Sequence, residues 1–380
     1  MSKLYDVFPS FPSLNSTSPT PSIRHLLPPA LESIMLLSYP IRPSPLSRPA
    51  SASIPHAPAP SQTLYGKGPA DACFVLFCAL AYTVGRELVM RYVLGAFARW
   101  YLARSGPVGS GLKGKKERRR REHVVQRFAE QGWSFLYCTC SWSLGAYILY
   151  LLPAPFSPQS CWGTYPNTPI PQLTKFYYLA QLGWWFHQIY VINTEKRRHD
   201  HWQMFSHHVL TIALVTLSYI GNFTRVGTVI HVLMDFCDIL LPLAKMFRYL
   251  SFITLCDSTF VLFLLSWLAT RQIGLSYMIY TSWVHAPQLN EYKWDPATEH
   301  YMSEAALNGF IAMEIILLGL ATMWFFMACR VAVRVLRGQG AEDVRSDGEE
   351  EWVGGCQGGQ GGEETEMRYM RVSQEVRRPQ

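Results

Sequence analysis

At 380 residues, the chain is 49% apolar and only 16% charged, whereas soluble globular domains carry about 25% charged residues, so the composition argues against a soluble enzyme. Mean hydropathy is nonetheless only +0.05, which requires the apolar residues to be gathered into blocks between polar tails. The net charge of +7 is also a composite, because residues 338–380 carry a net of −5 and leave +12 for the rest, a distribution that reads as membrane topology and anionic-lipid contact and not as nucleic-acid binding.

Residues 1–60 hold 13 of the 25 prolines and 12 serines, and the stretch Leu26 to Ile41 is cut by Pro28, Pro29 and Pro40. This composition reads as a disordered N-terminal region, 1–63, without the features of a signal peptide. From residue 71 onward, seven stretches are apolar and long enough to cross a bilayer: 71–93, 133–152, 174–193, 204–222, 226–247, 257–280 and 304–329. Lys and Arg set their orientation. Ten lie in residues 95–127, including the run from Lys113 to Arg121, and Lys196, Arg197 and Arg198 follow the third stretch. The alternation places the N-terminus in the lumen and the C-terminal tail in the cytosol. The tail, 338–380, is acidic and Gly-rich and shows no fold signal. By pattern, Ser346-Asp-Gly-Glu-Glu-Glu is an acidophilic kinase site, and Asn15-Ser-Thr17 is a lumenal glycosylation sequon.

Polar residues inside such stretches are costly, roughly 2.5 to 3.5 kcal/mol for an Asp at the centre of a membrane helix. The fifth stretch carries His231, Asp235 and Asp238 at i, i+4 and i+7, one helical stripe, with Pro242 four residues later removing a backbone donor. The fourth opens with His207-His208 and continues with Thr211, Ser218 and Asn222, a second stripe able to face the first. At 1.5 Å per residue, the paired His lie about 6 to 8 Å from the cytosolic side, and Asp238 and Asp235 about 14 and 18 Å. Such a cluster either holds the spans together through hydrogen bonds or supplies a His base or nucleophile tuned by carboxylates. Two His and two Asp at comparable depth favour the second. Arg271, well inside the sixth stretch, either pairs with Glu314 of the seventh or contacts a substrate head group.

A metal centre fits poorly. Six of the 11 His lie between 187 and 231, but the HxxxH and HxxHH boxes of membrane di-iron enzymes are missing. The nine cysteines are odd in number and form no C-x-x-C pair, which argues against a disulfide framework or zinc finger.

The run Asp200-His-Trp-Gln-Met-Phe-Ser-His207-His208-Val-Leu-Thr211, with Ser218-Tyr219, Asn222, Thr224-Arg225-Val-Gly227, Met234-Asp235-x-x-Asp238 and Leu241-Pro-Leu-Ala-Lys245, resembles the longevity-assurance motif of ceramide synthases, in its fungal version. Leu64-Tyr-Gly-Lys-Gly68, Arg127-Phe-Ala-Glu-Gln-Gly-Trp133 and Gln188-Ile-Tyr-Val-Ile-Asn193 extend the likeness over about 64–337. The resemblance implies an all-α, multi-pass TLC-domain enzyme of the endoplasmic reticulum, with six of about seven transmembrane helices forming a barrel around a lipid tunnel. The basic connection would end at 126 and the catalytic domain would span 127–337.

In such an enzyme a fatty acyl-CoA is joined to the amine of a sphingoid base without a cofactor or metal. The resemblance maps the residues required for activity to His207, His208, Asp235 and Asp238. Thr211, Ser218, Asn222, His231 and Arg271, with Arg197 and Arg198 toward the CoA phosphates, are the expected substrate-binding residues. It also gives the connection from about Val284 to Met302 an influence on acyl-chain length. One His would attack the thioester or deprotonate the sphingoid ammonium, and the sequence leaves both routes open. A dimer or small accessory subunit is equally open. A non-catalytic TLC-domain protein that binds or senses lipid is the alternative. The chain departs from its relatives in lacking a further apolar span upstream and in the stretch from Pro43 to Gln62, which reads as an insertion. It also lacks a homeobox-like segment.

Overall fold

The computed structural model describes residues 34–41, 63–104, 111–195 and 200–337. Each of the seven apolar stretches forms a helix, with the second and fourth stretches running two residues past their helix ends: α1 (Asp71–Ala103), α2 (Gly111–Tyr150), α3 (Gln172–Thr194), α4 (His201–Ile220), α5 (Thr224–Tyr249), α6 (Ile253–Val284) and α7 (Glu304–Leu336). Among the described residues, four of them, α1, α5, α6 and α7, are long and apolar enough to cross a membrane. The exposed faces of α1 and α6 present Leu76, Leu80, Val84, Val261, Leu262 and Leu265. That pattern suits a lipid solvent, since apolar side chains on an outer face lose nothing against acyl chains.

The basic run 113–121 is helical and continuous with the second apolar stretch, so α2 extends well beyond it. Arg121 and Glu117 pair at 3.2 Å, one turn apart, which helps to hold this charged extension. Both α1 and α6 contain a π-helical segment, Val89–Leu94 and Leu268–Gly274. A π segment inserts a residue into the turn and rotates the side chains beyond it.

Neighbouring helices form a circuit. In it α2 packs on α5, α5 on α6, α6 on α7, α7 on α4, α4 on α3 and α3 on α2. Outside this circuit α1 lies against α3 and α2. At Gly183 of α3 the approach of α1 is tight, since a Cβ there would come within 2.6 Å of the Cys78 Cβ and 3.0 Å of the Val75 carbonyl. The largest buried cluster joins Leu214 of α4, Val226 and Val229 of α5, Leu275 and Met278 of α6, and Phe310 of α7 around Trp162 and Phe223.

One end of the bundle carries small strands. Contrary to the disorder expected for 1–63, residues 34–41 pack there. Strand β1 (Pro40–Ile41) pairs antiparallel with β2 (Leu64–Tyr65), and β2 with β3 (Ile170–Pro171). The buried Lys175 explains why the segment is held. Its ammonium lies 2.7 Å from Asp71 and donates to the Ser38 and Gly66 carbonyls at 2.8 and 2.7 Å. At the same end, the connection between α6 and α7 folds as a hairpin, β4 (Lys293–Asp295) against β5 (His300–Met302). Glu299 closes it in the left-handed region at φ 53°.

Candidate catalytic cavity

Side chains from α3, α4, α5, α6 and α7 enclose a cavity of about 60 Å³. His207, Thr211 and Ser218 of α4 face it, as do His231, Asp235 and Asp238 of α5 and Arg271 of α6. Seven of the residues singled out in the sequence therefore meet at one place, and the helical stripes of α4 and α5 are the reason.

Adjacent residues on a helix point about 100° apart, so the paired His cannot share a direction. His207 lines the cavity, and its ring meets Trp324 of α7 and Trp185 of α3 edge-on, with centroids at 5.2 and 5.7 Å. His208 is buried beside it, its ring 5.4 Å from Trp185. Thr211 donates to the His207 carbonyl at 2.9 Å while its side chain remains at the wall.

The two aspartates are held differently. Asp235 is buried and accepts from Gln181 Nε2 at 2.7 Å and from Ser141 Oγ at 3.0 Å. Gln181 is in turn fixed by Tyr137, whose hydroxyl donates to Oε1 at 2.8 Å. Asp238 leaves 39% of its side chain exposed and pairs with Arg271 at 2.7 Å. The guanidinium also donates to the Met234 carbonyl at 2.9 Å and lies 4.3 Å from the Trp267 ring centroid. Arg271 lies in the π segment of α6, and its partner is Asp238 of α5. The pairing with Glu314 weighed in the sequence does not form. Glu314 lines the cavity separately, with neither carboxyl oxygen bonded.

Asn222 does not join the cavity. It lies beyond the end of α4 with φ 65°, where its side chain donates to the Glu299 carbonyl at 2.7 Å and accepts from Lys67. The stripe expected from the spacing ends at Ser218, because the helix stops at Ile220 and the chain turns away. Arg197, Arg198 and Ser346 lie outside the described residues.

Gln181, Ser141, Trp185 and Trp324 were missed in the sequence. Gln181 did carry a signal, as an uncharged polar residue in the middle of an apolar stretch, where it needs a partner. Ser141 and the two tryptophans resemble ordinary membrane residues.

Chemically, the arrangement offers an imidazole at a cavity wall, a carboxylate oriented by two donors, and an ion pair open to the cavity. The chain is similar to several known proteins. A family model described as the TLC domain, of the TRAM, LAG1 and CLN8 group, matches residues 127–330. The chain is 38% identical over 289 residues to the sphingosine N-acyltransferase lag1 of Schizosaccharomyces pombe, covering 76% of this chain and 70% of that protein. It is 35% identical over 314 residues to the ceramide synthase FUM18 of Gibberella moniliformis, with 76% and 70% covered. To ceramide synthase 5 of Homo sapiens it is 34% identical over 238 residues, with 61% and 58% covered.

Proposed function

The chain belongs to the TLC-domain family of sphingosine N-acyltransferases, and from that membership we infer that it transfers the acyl group of a fatty acyl-CoA to the amine of a sphingoid base, forming ceramide. The observation that carries this reading to particular residues is the convergence of His207, Asp235, Asp238 and Arg271 on one cavity.

The chemistry is set by the positions of those groups. His207 either attacks the thioester carbonyl, forming an acyl-imidazole as CoA leaves as thiolate, or takes a proton from the sphingoid ammonium so that the amine attacks directly. On the first route the amine then displaces the imidazole, and on both an amide replaces the thioester. Asp235, fixed by Gln181 and Ser141, and Asp238, fixed by Arg271, supply negative charge beside the developing ammonium. His208 supports Trp185 and through it the orientation of His207. Thr211, Ser218 and His231 line the path of the chain, and Arg197 and Arg198 attract the CoA phosphates. No cofactor enters either route.

We place the basic end of α2 in the cytosol and the strand-bearing end in the lumen of the endoplasmic reticulum. All seven helices then cross the membrane, with α2 to α7 forming the barrel. The circuit of helix contacts supports this reading. The lower hydropathy of α2, α3 and α4 reflects the basic run and the polar groups that they turn inward, among them Ser141, Gln181 and His207. Ser346 remains a proposed phosphorylation site, and a dimer or accessory subunit would use the apolar outer faces.

Microsomes carrying His207→Ala at normal protein level test the reading. Loss of ceramide formation from acyl-CoA and sphingoid base is expected. Retained formation would overturn it and leave a lipid-binding role.

A further inference from the structure

The cavity that begins at His207 is not closed by apolar groups alone. Glu314 precedes Trp324 on α7 by ten residues, and so lies about 15 Å further from the level of His207. It is 1% exposed, lines the cavity, and neither of its oxygens has a hydrogen-bond partner. None of the polar side chains that share the cavity, His207 and His231 among them, bonds the carboxyl. Arg271 is committed to Asp238, and Ser218 donates to the Val215 carbonyl at 3.0 Å and lies 3.3 Å from the Tyr178 hydroxyl. One turn beyond Glu314, Phe310 lines the cavity and packs into the buried cluster with Phe223.

A buried carboxyl without a protein partner depends on water or on a ligand group for its hydrogen bonds. The cavity's volume, about 60 Å³, leaves room for only a few water-sized guests, so a fatty chain reaching this depth displaces whatever solvates Glu314. Methylene groups offer nothing in exchange.

We propose that Glu314 is a specificity-determining residue that limits acyl-chain length: a tail ending short of it leaves the carboxyl solvated, whereas a longer tail must pass it and strip that solvation. The inference rests on acyl transfer at His207, because the thioester's position there sets where the tail ends. Phe310 forms the steric limit behind the polar one.

Competition among a ladder of saturated acyl-CoAs at equal concentration, with one sphingoid base and microsomes containing the full chain, tests it. Product ratios are read by mass spectrometry and do not depend on how much protein is made. Glu314→Leu is expected to raise the ratio of the longest to the shortest ceramide by roughly tenfold, the scale on which one unmade buried hydrogen bond is felt. Glu314→Gln keeps a polar group in place and is expected to leave the ratio near that of the parent. If Glu314→Leu is not recovered from the membrane, Glu314→Met serves in its place, and Phe310→Ala is expected to move the ratio in the same direction. An unchanged ratio, a shift toward shorter chains, or an equal fall in all products would overturn the proposal while leaving acyl transfer intact. Absence of ceramide from the parent enzyme itself would sink the acyl-transfer reading and this one with it.

Discussion

Arg271 holds Asp238 at 2.7 Å and in the same posture bonds the Met234 carbonyl one turn earlier on α5. The carbonyl that Pro242 leaves without its usual helical donor is that of Asp238 itself, so the ion pair sits where α5 is least tied internally. Arg271→Met strands the carboxylate. A cost of about 2 kcal/mol is expected, below the loss for a sealed pair because Asp238 faces the cavity. The double variant Arg271→Met/Asp238→Asn is expected to recover most of the melting temperature in detergent but not the activity. Equal stability of parent and single variant would show that the pair contributes nothing to folding.

Gln181 acts on the reaction through Asp235. Removing its donor in Gln181→Leu leaves the carboxylate with Ser141 alone. A charge-assisted hydrogen bond contributes about 1.5 to 3 kcal/mol, so kcat is expected to fall roughly ten- to a hundredfold. Gln181→Asn tests the geometry, since the shorter amide keeps the chemistry but not the reach. Normal kcat in Gln181→Leu would remove Asp235 from the reaction.

The paired His are expected to separate. His207→Gln should abolish turnover, whereas His208→Phe, which preserves a ring against Trp185, should retain a measurable fraction. Equal loss in both, at equal protein level, would mean that facing the cavity does not decide the role.

Gly227 illustrates how tightly α5 and α3 approach. A Cβ there would overlap the hydroxyl of Tyr178, a buried side chain. Gly227→Ala is expected to cost about 1 to 3 kcal/mol. Adding Tyr178→Phe removes the clashing atom and should restore part of the lost melting temperature, and no restoration would place the strain elsewhere.

Lys67 gives a pH signature at the strand-bearing end. It donates to the Tyr219 and Ile220 carbonyls, and desolvation lowers its pKa to about 8, against the raising pull of Glu299 and Asp71. Above about 8 the folded lysine has released a proton that the unfolded chain still holds up to its ordinary 10.5. Stability therefore rises with pH across that window, and below it the folded state bears the full cost of the desolvated charge. The melting temperature of the parent, measured against Lys67→Met, is expected to gain as pH passes 8. A flat difference would mean that the ammonium is not desolvated.

The helices, the polar stripes of α4 and α5 and the identity of the family were legible in the sequence because they depend on local periodicity and on the cost of polar groups among apolar neighbours. Spacing placed His207, Thr211 and Ser218 on one face and His231, Asp235 and Asp238 on another, and those faces do meet. It failed at Asn222, where the helix ends and a left-handed residue redirects the side chain. Of the two roles weighed for Arg271, the pairing with Glu314 does not form, and Asp238 takes its place. Composition read residues 34–41 as disordered, because nothing local announces that Lys175, far along the chain, will bind the Ser38 carbonyl.

What the sequence determined by itself was the set of groups that need partners: Asp235, Asp238, Arg271 and Glu314 are expensive in an apolar span wherever they point. Which partner each obtains was decided only by the tertiary structure, because that depends on the rotation and level of neighbouring helices. Asp235 obtains Gln181 and Ser141, Asp238 obtains Arg271, and Glu314 obtains no partner among the described residues, its carboxyl lining the cavity.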